Sequence, residues 1–249
     1  MKIAIIADLH LGSTPLKRGD HVRSASHVVA KNAAKLFSKI EGASPDLVVD
    51  MGDLIRSQDE DTDIVNYKQA LSYFQPFATK VIHMIGNHEV KKLNEEAILK
   101  LWKEVKYEEA ACGTREVSGI QIVWVSFTNV TIDNGTEAYM PKEQLTWLEE
   151  RLTSSKPTIL FTHYPLEGSD FSGNFLFDKE FNRFGHYNNS NEILEVLAKA
   201  SNLKAVFSCH SHWIDSKIIN NVPFIPCLPS LRILQLQRLL KIFPEYTRL

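Results

Sequence analysis

Ile3-Ala4-Ile5-Ile6-Ala7-Asp8-Leu9-His10 is an apolar run that stops in two side chains able to bind a hard or borderline metal ion. A run of that length and composition reads as a buried strand. Four further runs repeat the arrangement. Leu47-Val48-Val49 leads through Asp50-Met51-Gly52 to Asp53, and Val81-Ile82-His83-Met84-Ile85 leads to Asn87 and His88. Ile159-Leu160-Phe161 leads to His163, and Ala205-Val206-Phe207 to His210 and His212. In open α/β sheets ligands gather just past the carboxyl ends of the strands. Five such strand ends in one chain point to a metal centre, and the residue types point to two ions.

Helical patterns separate these runs. Apolar residues recur at helical spacing from about Ser24 to Ile40, and further helices are expected over 61–74, 93–105, 143–152 and 191–199. Thr114–Val117 and Ile120–Phe127 read as a strand pair turning at Ser118-Gly119. Ile214–Ile219 and Val222–Ile225 read as a second pair joined through Asn220-Asn221. Alternating strands and helices make this an α/β chain with some parallel sheet, to which the hairpins add antiparallel pairing. No internal repeat, low-complexity tract or linker interrupts it, so one domain over residues 1–249 is expected. Helix-like apolar spacing in 231–249 suggests an additional C-terminal helix that packs on the body or, alternatively, serves an oligomer contact or a membrane surface.

A formal net charge of -2 argues against a strongly basic nucleic-acid or membrane-binding surface. Cys112, Cys209 and Cys227 are odd in number, far apart and without Cys-x-x-Cys spacing, which fits reduced thiols. The first strand stands where a signal peptide would, and no apolar run approaches the length of a membrane span. The expected location is cytoplasmic, with no transmembrane segment.

The donors suit a particular chemistry. Asp8 and His10 are two residues apart, so on extended backbone both can face one ion. His210 and His212 share that spacing, roughly 6–7 Å along a strand, enough to serve different members of an ion pair about 3.5–4 Å apart. Asp53 has two oxygens and can bridge, Asn87 offers a neutral carbonyl oxygen, and His163 adds an imidazole. Mixed imidazole, carboxylate and amide donors suit Mn, Fe or Zn better than Ca or Mg. Two divalent ions, two carboxylates and one hydroxide leave roughly +1 to attract an anion such as phosphate. The ions also lower the pKa of bound water toward neutrality, which supplies the nucleophile. His88, beside Asn87 but not needed as a ligand, is placed to give the leaving oxygen its proton.

Asp8-Leu9-His10, Gly52-Asp53, Gly86-Asn87-His88-Glu89, Thr162-His163 and Cys209-His210-Ser211-His212 resemble, in order, the motif series of the calcineurin-like metallophosphoesterases. The resemblance runs from Asp8 to about Ser230. It implies two packed mixed β-sheets flanked by helices, a four-layer α-β-β-α sandwich with a dinuclear site at the sheet edge. It assigns Asp8, His10, Asp53 and His212 to one metal, and Asp53, Asn87, His163 and His210 to the other, with His88 near the leaving group. Gln144-Leu145, Trp147-Leu148 and Thr162-His163-Tyr164-Pro165 look like the bacterial cyclic-nucleotide phosphodiesterase and purple acid phosphatase side of the family. The protein Ser/Thr phosphatases carry Asp-Arg-Gly shortly after Gly-Asp, and Leu54-Ile55-Arg56-Ser57 departs from that. Cys209 also departs from the family, which usually has Gly before its last His-x-His pair.

The expected activity is therefore hydrolysis of a phosphodiester or nucleotide-type phosphate ester by a metal-bridging hydroxide, with a small phosphorylated substrate as partner. Phe171, Phe175, Phe177, Phe181, Phe184 and Tyr187, in the aromatic stretch after His163, read as core or, alternatively, as a lid on an organic group, and His186 as part of that loop or, alternatively, as a residue that reaches the site. One alternative is a DNA exonuclease of the double-strand-break repair type, which shares the Asp8-Leu9-His10-Leu11-Gly12 opening. Another is a non-catalytic scaffold of the same fold, against which stand the intact ligand positions and His88.

Overall fold

β1 (Lys2–Ala7) is buried from Ile3 onward, on both of its faces, and a strand covered on both sides carries an unbroken apolar run rather than an alternating one. In the computed structural model, which describes residues 1–12, 16–18, 21–24, 26–107, 109–127, 131–133, 137–174 and 176–235, the chain divides into two compact units. The first is Met1–Ala111 together with the strand at Ser230–Gln235. The second is Cys112–Leu228.

In chain order the first unit contains β1, β2 (Leu16–Arg18), β3 (His21–Ser24), α1 (Ser26–Ala43), β4 (Leu47–Asp50), α2 (Glu60–Ser72), β5 (Val81–His83) and α3 (Glu95–Glu104). The second contains β6 (Cys112–Val117), β7 (Ile120–Val125), β8 (Thr131–Asp133), β9 (Glu137–Tyr139), α4 (Lys142–Arg151), β10 (Thr158–Thr162), α5 (Ser190–Ala198), β11 (Leu203–Ser208), β12 (Lys217–Ile219) and β13 (Val222–Pro226). β14 (Ser230–Gln235) returns to the first unit.

The first sheet has the order β14-β1-β4-β5, parallel across β1, β4 and β5 and antiparallel at β14. Parallel strands need crossovers, and α1 and α2 supply them. Ala4 and Ile6 of β1, Val48 of β4 and Val81 of β5 share one buried cluster with Phe37 and Ile40 of α1, Tyr67 and Leu71 of α2, and Ile98 and Trp102 of α3. The helices begin where side chains answer their free N–H groups: Asp59 accepts from Thr62 N at 3.0 Å, and Asn94 from Ala97 N at 2.8 Å.

The second sheet has the order β12-β13-β11-β10-β7-β6, with a parallel centre (β13, β11, β10, β7) and an antiparallel strand at each edge. The two hairpins read from the sequence are those edges. Two mixed sheets with helices make this an α/β fold of the expected class.

The structure corrects the sequence reading in three places. The start of the tail is strand, not helix: Ser230–Gln235 pairs with Ala7 to Lys2 of β1, and the rest of the tail lies outside the described residues. β1 needs partners for its backbone groups along both edges, and that tertiary demand outweighs helical spacing. In the stretch after Gly12, where the sequence analysis places no strand, β2 and β3 pair antiparallel. β8 and β9 pair in a stretch where the sequence gives no strand signal. No described helix is long and apolar enough to cross a membrane.

Candidate metal centre

In the first unit the candidate donor residues leave the carboxyl ends of β1, β4 and β5. The loop after β1 runs beside the loop after β4, with Asp8 N on Gly52 O (3.3 Å), His10 N on Asp53 O (2.9 Å) and Leu11 N on Leu54 O (2.8 Å). Gly52 sits at φ +91, and a Cβ there would meet Gly86 N at 2.4 Å, so only glycine lets the loops after β4 and β5 come this close. Asp53 is 1% exposed, its Oδ1 accepts the His88 backbone N–H at 2.8 Å, and its Oδ2 lies 3.8 Å from His10 Nε2. His10, Asp53 and His88 each present a donor atom within 4.8 Å of the others. Asn87, half-buried, lies between Gly86 and His88 at the turn.

Two buried carboxylates brace this region. Glu89 accepts from Gly86 N (2.9 Å), Asp53 N (3.0 Å) and Ile55 N (3.3 Å), tying the loops after β4 and β5 together. Asp50 accepts from Gly52 N at 3.0 Å, and its other oxygen lies 2.9 Å from His83 Nδ1. His83, assigned no chemistry from the sequence, is thus a satisfied core histidine. The His88 ring stands edge-on to His10, with centroids 4.6 Å apart, and its Nε2 lies 3.2 Å from Lys91 Nζ. Desolvation lowers the Lys91 ammonium below its usual range, although Asp53 and Glu89 pull the other way.

In the second unit β10 and β11 pair with Phe161 opposite Phe207, and two residues further on His163 meets Cys209. Cys209 N donates to His163 O at 2.9 Å, and Cys209 Sγ lies 3.2 Å from His163 Nδ1. The thiol that stands where the resemblance leads one to expect glycine therefore abuts Nδ1 of the His163 ring. The His210 ring lies 5.5 Å from that of His163 and stacks on Tyr164 at 3.7 Å. His210 Nε2 is 3.1 Å from Phe184 O, a contact that assigns Nε2 the proton. Metal-binding histidines are commonly oriented in this way through the second ring nitrogen.

The backbone carries an independent signal. Asp8 (φ 51), His10 (49), Asp53 (53), His210 (65) and His212 (50) all occupy the left-handed region, as five of the seven donor positions read from the sequence. Non-glycine residues seldom do so, and such strain costs about 1–3 kcal/mol per residue where the surroundings enforce it. Imidazole, carboxylate and amide donors on enforced backbone fit borderline metal ions.

The aromatic stretch divides in its behaviour. Phe171 is 1% exposed and is core, whereas Phe177 is half-buried with its ring 5.1 Å from His210. Phe175 lies outside the described residues. His186 has Nε2 3.0 Å from Asn182 Oδ1 and Nδ1 2.9 Å from Tyr187 O, so both ring nitrogens are engaged within the stretch, and burial lowers its pKa. Glu167 is 2% exposed, and burial pushes its carboxyl up to about 7. Sequence reasoning gave no role to Glu89, Asn174 or Glu167, and named Phe184 only as one ring of the aromatic stretch. Only Glu89 carried a signal, as the last residue of Gly86-Asn87-His88-Glu89.

The fold, with candidate donors at its strand ends, is the one expected of a metallophosphoesterase. Residues 1–213 match the calcineurin-like phosphoesterase model, and the chain belongs to that family. It is a phosphate ester hydrolase of a family that uses dinuclear metal centres. A probable cyclic nucleotide phosphodiesterase of Synechococcus is 26% identical over 224 residues, covering 85% of this chain and 73% of the relative. Among solved structures, a dimetal phosphatase from Danio rerio superposes with a TM-score of 0.71 at 13% identity, covering 91% of this chain and 87% of that one. A purple acid phosphatase from yellow lupin gives 0.51 at 12% identity, covering 90% of this chain and 43% of that one.

Proposed function

We propose that the two units act as one domain in which Asp8, His10, Asp53, Asn87, His163, His210 and His212 hold two metal ions, and that its substrate is a phosphodiester or nucleotide-type phosphate ester. Asp8, His10, Asp53 and His212 would serve one ion, and Asp53, Asn87, His163 and His210 the other. The donor set favours manganese, iron or zinc. When bound, the ions activate water at neutral pH and draw the phosphate by charge. His88 gives a proton to the leaving oxygen, and its fixed position beside His10 and Asp53 supports that role. With no membrane-crossing helix among the described residues, a cytoplasmic location is consistent with this reading.

The observation that carries the reading is the left-handed backbone at Asp8, His10, Asp53, His210 and His212. Preference for a diester is supported by Phe177 beside His210 and by the similarity to the cyanobacterial phosphodiesterase. A diester bears a single charge and gains less from the ions than a monoester dianion, so it needs contacts to its organic groups. Stacking on an aromatic ring is worth about 1–3 kcal/mol, roughly ten- to over a hundred-fold in affinity. Bis(p-nitrophenyl) phosphate and p-nitrophenyl phosphate, compared at equal manganese loading, should show a higher kcat/KM for the diester. Phe177→Ala should lower that ratio about ten-fold. A wild-type preference for the monoester, unmoved by the substitution, would defeat the diester reading.

A further inference from the structure

Asn174 is 6% exposed and lies in the stretch between β10 and α5. Its Nδ2 donates at 3.1 Å to Ser211 O, the carbonyl between His210 and His212. Its Oδ1 accepts from Leu176 N at 2.7 Å and Phe177 N at 3.0 Å. The two backbone N–H groups require an acceptor and the Ser211 carbonyl requires a donor, so the network fixes which way the amide faces. One side chain thus grips the peptide flanked by two histidines and the backbone of the phenylalanine whose ring lies beside the first of them.

The segment it grips is under strain. His210 and His212 both have left-handed φ, and Ser211 N closes on Cys209 O at 2.7 Å across a tight turn. A turn so bent keeps its shape only when its surroundings hold it. Tyr164 and Phe184 hold the His210 ring, whereas the Asn174 amide bonds to the Ser211 peptide itself.

Resting on the reading of His210 and His212 as metal ligands and Phe177 as a substrate contact, we propose that Asn174 is a positioning residue that couples the two. It holds the ligand pair at the spacing the ions require and sets Phe177 against the same turn, so metal affinity and diester preference depend on one amide.

Asn174→Asp is nearly the same shape and keeps the acceptor side, but it sets a carboxylate oxygen against the Ser211 carbonyl. Chelator competition should show manganese binding weakened about 10–100-fold, the range for residues that orient ligands. The diester-to-monoester ratio should fall about as far as in Phe177→Ala, and the double variant should fall no further. Phe177→Ala alone should leave manganese affinity unchanged, which separates loss of the ring from loss of the bracket. If Asn174→Asp does not fold, as judged by circular dichroism, Asn174→Ser decides by the same readouts, since its hydroxyl can accept from the backbone but falls short of Ser211 O. Wild-type manganese affinity and ratio in a folded variant would overturn the proposal. His210→Ala is the control for the underlying reading: if it binds manganese as the wild type does, the ligand assignment itself has failed.

Discussion

Around Asp53 the supports are compact and charged, whereas around His210 they are aromatic and come from a long irregular stretch. In the first unit Glu89 collects three backbone N–H groups and Asp50 a fourth, all from the loops that carry the donors. In the second unit His210 rests on the Tyr164 ring and the Phe184 carbonyl, and its turn on the Asn174 amide. Hydrogen bonds to an ionised carboxylate are roughly twice as strong as those between neutral groups. An aromatic cradle can be rebuilt around a different organic group. The first arrangement would suit the proposed role of Asp53 as a shared ligand, and the second the proposed contact with the variable part of a substrate.

The largest effect should follow from breaking the charged region at its centre. Asp53→Ala removes the carboxylate proposed to be shared, and elemental analysis should find both ions lost or one weakly held. Turnover should fall by more than about 10³, since the ions supply several kcal/mol of transition-state stabilisation. Two fully retained ions would rule out the sharing.

His88→Ala should leave metal content intact and lower turnover about 10²–10⁴, the range for general acid–base help. The deficit should shrink with nitrophenol leaving groups, which need little protonation. An equal deficit on good and poor leaving groups would favour a binding role over proton donation.

The residues proposed as donors in the first unit can be picked out from the sequence because each apolar run ends in one of them within a few residues. The same holds for His163, His210 and His212. Their supports cannot be picked out in that way. Phe184 acts through a backbone carbonyl, which no residue type announces, and Asn174 reaches Ser211 across 37 positions. β14 was obscured differently. Leu231, Ile233, Leu234 and Leu236 recur at helical spacing, and nothing local reveals that β1 has an open edge to fill.

A smaller effect should test the bracing itself. Glu89→Gln keeps one acceptor oxygen but strands part of the backbone set that the carboxylate serves, at about 1–3 kcal/mol for each buried donor left without a partner. Manganese affinity should drop about 10–100-fold, as expected for a group that orients ligands without touching the metal. Comparison with Asn174→Asp then ranks the charged brace against the amide bracket by one readout. Unchanged manganese affinity in a folded Glu89→Gln protein would show that the first region does not depend on its carboxylate brace.

The smallest effect on turnover should come from Glu167, which shows how differently the second unit treats a buried carboxylate. Where Glu89 serves three backbone donors, Glu167 Oε1 takes one long bond from Ser169 Oγ (3.4 Å), and its Oε2 has no hydrogen-bond partner among the described residues. Burial raises its pKa from 4.5 to about 7, against the opposing pull of Lys217. Because the folded pKa lies above the unfolded one, the unfolded chain binds fewer protons between these values. Stability should therefore fall as pH rises from about 4.5 to about 7 and change no further from this group above that. The loss amounts to no more than roughly 3–4 kcal/mol. Glu167→Gln mimics the protonated acid at every pH, so thermal unfolding should show it gaining on the wild type at pH 8 and nearly matching it at pH 4, with kcat little changed. An equal difference at both pH values would mean that the Glu167 carboxyl is not held neutral by its surroundings, and the contrast between the two carboxylates would not stand.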